Sequence, residues 1–195
     1  MRCFLFISLC LFTTFSHFAQ NDQLARNYLE QGEYEKALKT YQQLYQESPG
    51  NSTYFYGLIT AYQEMENFDA AEALLKERMQ KILNNPNMHI ELGHNFELQQ
   101  KTEEAQQQYN TAIEMLKENS NYTYSVARTF EKYSLLDYAV QAYKSGSELG
   151  SDMNFDLPLA RIYGEQGKLD EMFNSYLDIM GKEPEISYNL VREFD

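Results

Sequence analysis

Gly32-Glu33-Tyr34-Glu35-Lys36-Ala37-Leu38, followed by Tyr41 and then Pro49, decides the fold of this chain. Leu24, Ala25 and Tyr28 stand just upstream, so the stretch reads Leu-Ala-x-x-Tyr, then Gly, then Ala-x-x-x-Tyr, then Pro. A leucine, a small residue and an aromatic at i, i+1 and i+4 share one face of a helix. Gly32 suits a left-handed cap at the end of that helix, and a second helix opens directly behind it. The stretch is the middle of a helix–turn–helix unit.

The same unit recurs along the chain. Leu24, Leu58, Leu92 and Val126 follow at intervals of 34, and Leu159 follows after 33. Ala25, Ile59, Gly93, Ala127 and Ala160 sit directly behind them, and Tyr28, Tyr62, Phe96, Phe130 and Tyr163 form an aromatic column. Ala37, Ala71, Ala105, Ala139 and Met172 form a small-residue column broken at its end, and Tyr41, Leu75, Tyr109, Tyr143 and Tyr176 complete the second helices. The small residues let paired helices approach closely while the aromatics fill the wedge between them. One pair cannot bury such a face alone, so neighbouring pairs stack and share a core.

This register resembles the tetratricopeptide-repeat family, whose period is ~34 residues, over residues 20–195. The resemblance implies an all-α fold, a right-handed α-solenoid of tandem helix-turn-helix repeats, with first helices lining a concave groove that holds peptides or partner proteins. The repeats read as 18–51, 52–85, 86–119, 120–152 and 153–186, with a partial sixth helix over 187–195. Members usually end in a polar capping helix, and none is seen here, the pattern of the front of a longer protein. Gly32 and Gly167 are expected as left-handed caps, and Pro158 is tolerable if its helix starts near Phe155.

Composition narrows the function. With 43% hydrophobic residues, four Pro and nine Gly in 195 residues, the chain can bury a helical core. A formal charge of −13 argues against nucleic acid or an anionic membrane as partner, since both need a basic face. Residues 1–19, MRCFLFISLCLFTTFSHFA, carry one basic residue, an apolar run and a closing Ala19, the parts of a secretory signal peptide. The run is shorter than the ~20 residues of a membrane span, so export to the periplasm or medium is expected, with no stable span in the mature chain. Cys3 and Cys10 both fall inside that segment, which leaves the mature chain without a thiol nucleophile or disulfide.

No constellation names a reaction. His89, Glu91 and His94 come nearest to a metal triad. The two histidines, however, are five apart, roughly 140° around a helix, unlike a zinc-protease pair. No metal, cofactor or catalytic residue is therefore assigned.

The face opposite the packing columns is more informative. It passes through Arg26, Thr60, His94, Arg128 and Arg161 in one file, with Tyr56, Ile90, Tyr124 and Leu157 beside it. The expected peptide-binding groove residues are Tyr56, Thr60, Ile90, His94, Tyr124, Arg128, Leu157 and Arg161. Arginine holds carboxylates by paired hydrogen bonds, and exposed tyrosine is a common interface anchor. The competing use of the arginines is pairing with Glu97 or Glu131. The Lys/Asn clamp by which chaperone-binding family members grip a terminal carboxylate is not matched on this face. Asn87, Asn121 and Asn154 are expected as helix N-caps, with contact to a peptide backbone as the other use.

The expected function is an exported, non-catalytic scaffold for a protein or peptide. Two other readings stay open: the sensor or adaptor front end of a longer envelope protein, and the substrate-positioning repeats of an enzyme subunit. The lack of a catalytic cluster stands against the latter.

Overall fold

The computed structural model describes residues 21–150 and 153–182. The segments read as signal peptide (1–19) and as partial sixth helix (187–195) lie outside those residues. The described chain is all-α, with no strand: α1 (21–30), α2 (Tyr34–Glu47), α3 (Ser52–Glu64), α4 (Phe68–Lys81), α5 (Pro86–Leu98), α6 (Thr102–Met115), α7 (Thr123–Lys132), α8 (Leu136–Glu148), α9 (Asp156–Glu165) and α10 (Leu169–Lys182). A 3₁₀ turn, Ser120–Tyr122, precedes α7. Odd- and even-numbered helices are the first and second members of tandem pairs.

Every first helix ends in the same way. Gly32, Glu66, Gln100, Ser134 and Gly167 have φ of 73°, 54°, 61°, 57° and 70°. The next N–H turns back to the carbonyl of the aromatic column: Glu33 to Tyr28 (2.8 Å), Asn67 to Tyr62 (2.9 Å), Lys101 to Phe96 (3.0 Å), Leu135 to Phe130 (2.9 Å) and Lys168 to Tyr163 (2.8 Å). This is the Schellman closure, which satisfies carbonyls that the helix end would otherwise leave unpaired. Three of the five positions carry side chains in the left-handed region that glycine tolerates best.

First helices also begin alike. The side-chain oxygens of Asn51, Asn85, Asn119 and Asn154 accept from the backbone N–H two residues on, at 2.9, 3.1, 3.1 and 2.8 Å. Asn154, expected as an N-cap, stands one residue before the cap position of α9, which is Phe155, and accepts from the first N–H of the helix. For Asn87 and Asn121 the capping position belongs instead to Asn85 and Asn119, which immediately precede α5 and the 3₁₀ turn. Asn87 ties α5 to α7: its Nδ2 donates to Ser125 Oγ (3.2 Å), and Thr129 Oγ1 donates to its Oδ1 (3.1 Å).

The chain divides into two compact units, one running to Ile82 with Leu98–Gln100, the other comprising Leu83–Glu97 and the residues from Lys101 onward. The first unit packs Ala25, Tyr41, Leu44, Tyr54 and Leu58 together. Leu24, expected in a packing column, is 40% exposed. Gly57 lets α3 close on α2, since a Cβ there would lie 2.5 Å from the Tyr41 ring. Arg78 fastens the turn between these pairs, donating to Pro49 O (2.8 Å) with its guanidinium 5.1 Å from the Phe55 ring centroid.

The core of the second unit runs from Ile90, Ala105 and Tyr109 through Val126, Phe130, Ala139 and Tyr143 to Phe155, Leu159 and Ile162. Gly93 stands at the closest approach of α5 and α6, where a Cβ would collide with the Tyr109 ring and lie 3.1 Å from Ala105 O.

Ala105 is 2% exposed, so Ala105→Leu is expected to overpack this contact and cost about 1–3 kcal/mol. Gln107→Leu, on the exposed side of the same helix, changes stability little. Thermal melts of the two variants check the register, which is wrong if they rank the other way.

Candidate functional site

In the second unit the exposed edges of α7 and α9 enclose a cleft of about 340 Å³ lined by Tyr124, Arg128, Tyr143, Leu157, Pro158, Arg161 and Tyr176. Tyr124 and Leu157 are 46% and 52% exposed, an aromatic and an aliphatic side chain presented to solvent beside two guanidinium groups. Four of the eight residues expected in the groove thus meet at one place.

Charge pairing sets the geometry of the guanidinium groups. The Glu131 side chain is nearly buried, and Arg128 Nη1 donates to its Oε2 at 2.9 Å. Arg161 Nη2 donates to the same oxygen, and its Nη1 donates to Glu165 Oε1 at 2.8 Å. Tyr143 Oη completes the set, donating to Glu131 Oε1 at 3.0 Å. Burial and this carboxylate push the Tyr143 hydroxyl well above the usual phenol range, so it remains a donor. The hydrogen bond to Glu131 raises Arg161 in turn. In the free protein both arginines are therefore held on internal carboxylates, the competing use that the sequence left open.

The other expected residues are placed differently. Ile90 is fully buried and belongs to the core with Ala105, Tyr109 and Val126, which corrects its assignment to the groove. An aliphatic side chain gains from complete burial, whereas the tyrosines in its file keep a hydroxyl that favours water or a polar partner. Tyr56 and Thr60 lie on α3 of the first unit, Tyr56 half-buried with its ring 5.2 Å from that of Phe55 and Thr60 exposed. Arg26 pairs with Asp22 at 3.3 Å on the surface.

His94 stacks on Tyr133, with centroids 3.8 Å apart and planes at 20°. Its Nδ1 has no hydrogen-bond partner and stands 3.7 Å from Glu97 Oε2. Around it, buried Glu91 accepts from Tyr133 Oη (2.5 Å) and Lys132 Nζ (3.2 Å), and Glu97 accepts from Tyr109 Oη (2.7 Å). His89 faces elsewhere, its Nδ1 2.8 Å from Gln108 Oε1. Among the described residues no group of three His, Asp or Glu side chains is arranged to hold a metal, and no helix is long and apolar enough to cross a membrane.

Sequence reasoning placed Tyr143 and Tyr176 in the core and missed that both line the cleft. The signal was present: these positions carry Tyr where Phe would fill the same volume, and a buried phenol needs a polar partner.

A tetratricopeptide-repeat family profile matches residues 28–90, and the columns of that segment continue to Tyr176. Residues 28–90 carry tetratricopeptide repeats. Among solved structures, it is similar to PcrH in complex with the chaperone-binding region of PopB, at 18% identity over 58% of this chain and 92% of that one, TM-score 0.47. It is also similar to the type III secretion translocator chaperone SycD of Yersinia enterocolitica, at 23% identity over 62% of this chain and 93% of that one, TM-score 0.46. A thermophilic tetratricopeptide-repeat protein of Thermus thermophilus matches at 18% identity over 90% and 96% of the two chains, TM-score 0.46. No curated protein matches.

Burial lowers the His94 pKa below its ordinary value, outweighing the opposite pull of Glu91 and Glu97. The unfolded chain then binds the proton first as pH falls through about 6.5. Stability contributed at this site is present above that pH and is lost as pH drops toward the folded pKa, with a slope of at most about 1.4 kcal/mol per pH unit. Denaturant midpoints measured from pH 7 to 5 are expected to fall less steeply in His94→Phe, which keeps the stack but does not titrate. Parallel slopes would show that the imidazole is not desolvated.

Proposed function

We propose that this chain is an exported, non-catalytic scaffold that binds a protein or peptide segment at the α7–α9 cleft. The observation that carries the reading is the pairing of exposed Tyr124 and Leu157 with Arg128 and Arg161 around one concavity. Tyrosine and arginine are the residues that most often dominate interface energies, and an aliphatic neighbour excludes water from them. The arginines are pre-extended by Glu131, so little side-chain freedom is lost when a partner arrives.

The surrounding acidity supports selectivity rather than raw affinity. A chain of net charge −13 repels anionic segments over most of its surface and leaves this strip as the favourable path. Export rests on the composition of residues 1–19, and intact-mass measurement of the native protein is expected to give Gln20 as the first residue. A soluble cytoplasmic pool retaining Met1 would remove that part of the proposal.

The docking test is a pull-down from envelope extract with residues 20–195, followed by titration of the recovered partner. Tyr124→Ala with Leu157→Ser is expected to weaken binding by about 2 kcal/mol or more, with the melting temperature nearly unchanged because both side chains are already exposed. Equal affinity of wild type and variant would place the partner on another face.

A further inference from the structure

Each first helix carries one column aromatic, and four of these rings are covered from within the chain. Lys36 Nζ stands 5.4 Å from the Tyr28 ring centroid, Lys101 Nζ 5.8 Å from that of Phe96, and Lys144 Nζ 5.7 Å from that of Tyr163. Phe130 is covered instead by Tyr138, whose ring stacks on it at 5.2 Å with planes at 21°. Among the described residues, Tyr62 is the column aromatic with neither a cation nor a ring over it.

The repeat register explains the difference. Lys36 and Tyr138 each stand eight residues after their aromatic, Lys101 stands five after, and Lys144 reaches over from the preceding second helix. At multiples of 34 residues from these, the Tyr62 pair holds Ala70, Asn67 and Gln42. Alanine is too short to cover a ring. Asn67 is spent as the N-cap of α4, accepting from Ala70 N at 3.4 Å. Gln42 donates to the Tyr62 hydroxyl at 3.0 Å, which satisfies the polar end of the phenol and not its face. Ala70 lines a cavity of about 520 Å³ within the first unit, whose wall includes Gln42, Tyr45, Leu58, Tyr62, Leu74 and Glu77.

Charge selects the occupant. Glu77 is the one charged residue in that lining. Its Oε1 accepts from Lys81, but both side chains are more than half exposed, and an i,i+4 pair of that kind contributes little. A carboxylate beside the negative face of a phenol ring favours a cation, and the net charge of −13 draws one in. Leu58 and Leu74 offer apolar surface to the methylene stem of a long cationic side chain. We propose that this cavity receives a lysine side chain of a partner protein, its ammonium over the Tyr62 ring and beside Glu77. The occupant repeats what Lys36, Lys101 and Lys144 do over the other rings. The contact lies wholly in the first unit and shares no residue with the α7–α9 cleft, so the two readings fail separately.

The probes are the pentapeptide amide acetyl-Ala-Leu-Lys-Leu-Ala and its counterparts with norleucine or glutamate at the centre. The whole chain, isotopically labelled in its tyrosine rings, is titrated with each by NMR, and the Tyr62 signals are assigned by their loss in Tyr62→Phe. The lysine peptide is expected to bind about fivefold tighter than the norleucine peptide, with the glutamate peptide weakest. Ring current is expected to move its lysine ε-methylene protons upfield. Ala70→Lys supplies a cation from the position of Lys36 and is expected to abolish the preference. Gln42→Lys, from the position of Lys144, blocks the ring independently and serves if the first variant folds poorly. Equal affinity of the lysine and norleucine peptides overturns the cation site. A lysine preference that persists in both blocked variants places the lysine elsewhere and overturns it as well. Tyr62 signals that stay unmoved by all three peptides overturn the cavity as a docking site.

Discussion

The left-handed residue that closes each first helix is the constraint on which every described pair depends. Its φ, between 54° and 73°, brings the following N–H onto the carbonyl of the column aromatic. That aromatic's side chain faces the pair while its backbone terminates the helix, so one residue fixes both where the helix stops and what the next helix meets. Shift the closure by one position and the second helix rotates by about 100°, which carries Ala105 or Ala139 out of the contact. The small-residue column and the aromatic column keep register because both are measured from the same turn.

Much of this was legible in the chain. Columns of apolar residues repeat because burial enforces them, and burial leaves a compositional trace. The turns were legible at all five places, at Glu66-Asn67, Gln100-Lys101 and Tyr133-Ser134 as well as at the glycines, but their left-handed closure was legible only at Gly32 and Gly167. At Glu66, Gln100 and Ser134 the left-handed conformation has no side-chain signature, because the surrounding hydrogen bonds impose a backbone that these residues do not prefer. Helix starts were misread at Asn87 and Asn121 for a related reason: a cap is defined by which N–H it meets, and a run such as Asn84-Asn85-Pro86-Asn87 offers several candidates.

The candidate site was less legible than the core. Helical periodicity assigns a direction to each side chain but not the depth to which a neighbouring helix covers it. Ile90 and Tyr124 occupy equivalent positions 34 residues apart, yet one is fully buried and the other half exposed. The pairing of the arginines was visible as an alternative but not as a fact, since Glu131 becomes a shared acceptor only when Arg161 of the following pair folds over it. Contacts between pairs are long-range in sequence, and no local pattern encodes them.

That sharing has an energetic logic. A carboxylate as enclosed as Glu131 is costly to desolvate unless several donors converge on it, and here two guanidinium groups and a phenol do so. Glu91, enclosed by Lys132 and Tyr133, follows the same rule. In both places a tyrosine hydroxyl does what a further cation would do, satisfying the carboxylate without adding charge. The cationic members stay half exposed, Arg128 at 53% and Arg161 at 45% of the side chain, with Arg128 held through Nη1 and Arg161 through both terminal nitrogens. A guanidinium fixed along one edge keeps a defined orientation along the other, which a free surface arginine lacks. Internal neutralisation and readiness for a partner are therefore compatible: the same glutamate that removes part of the local positive charge also sets the direction in which the rest of it points.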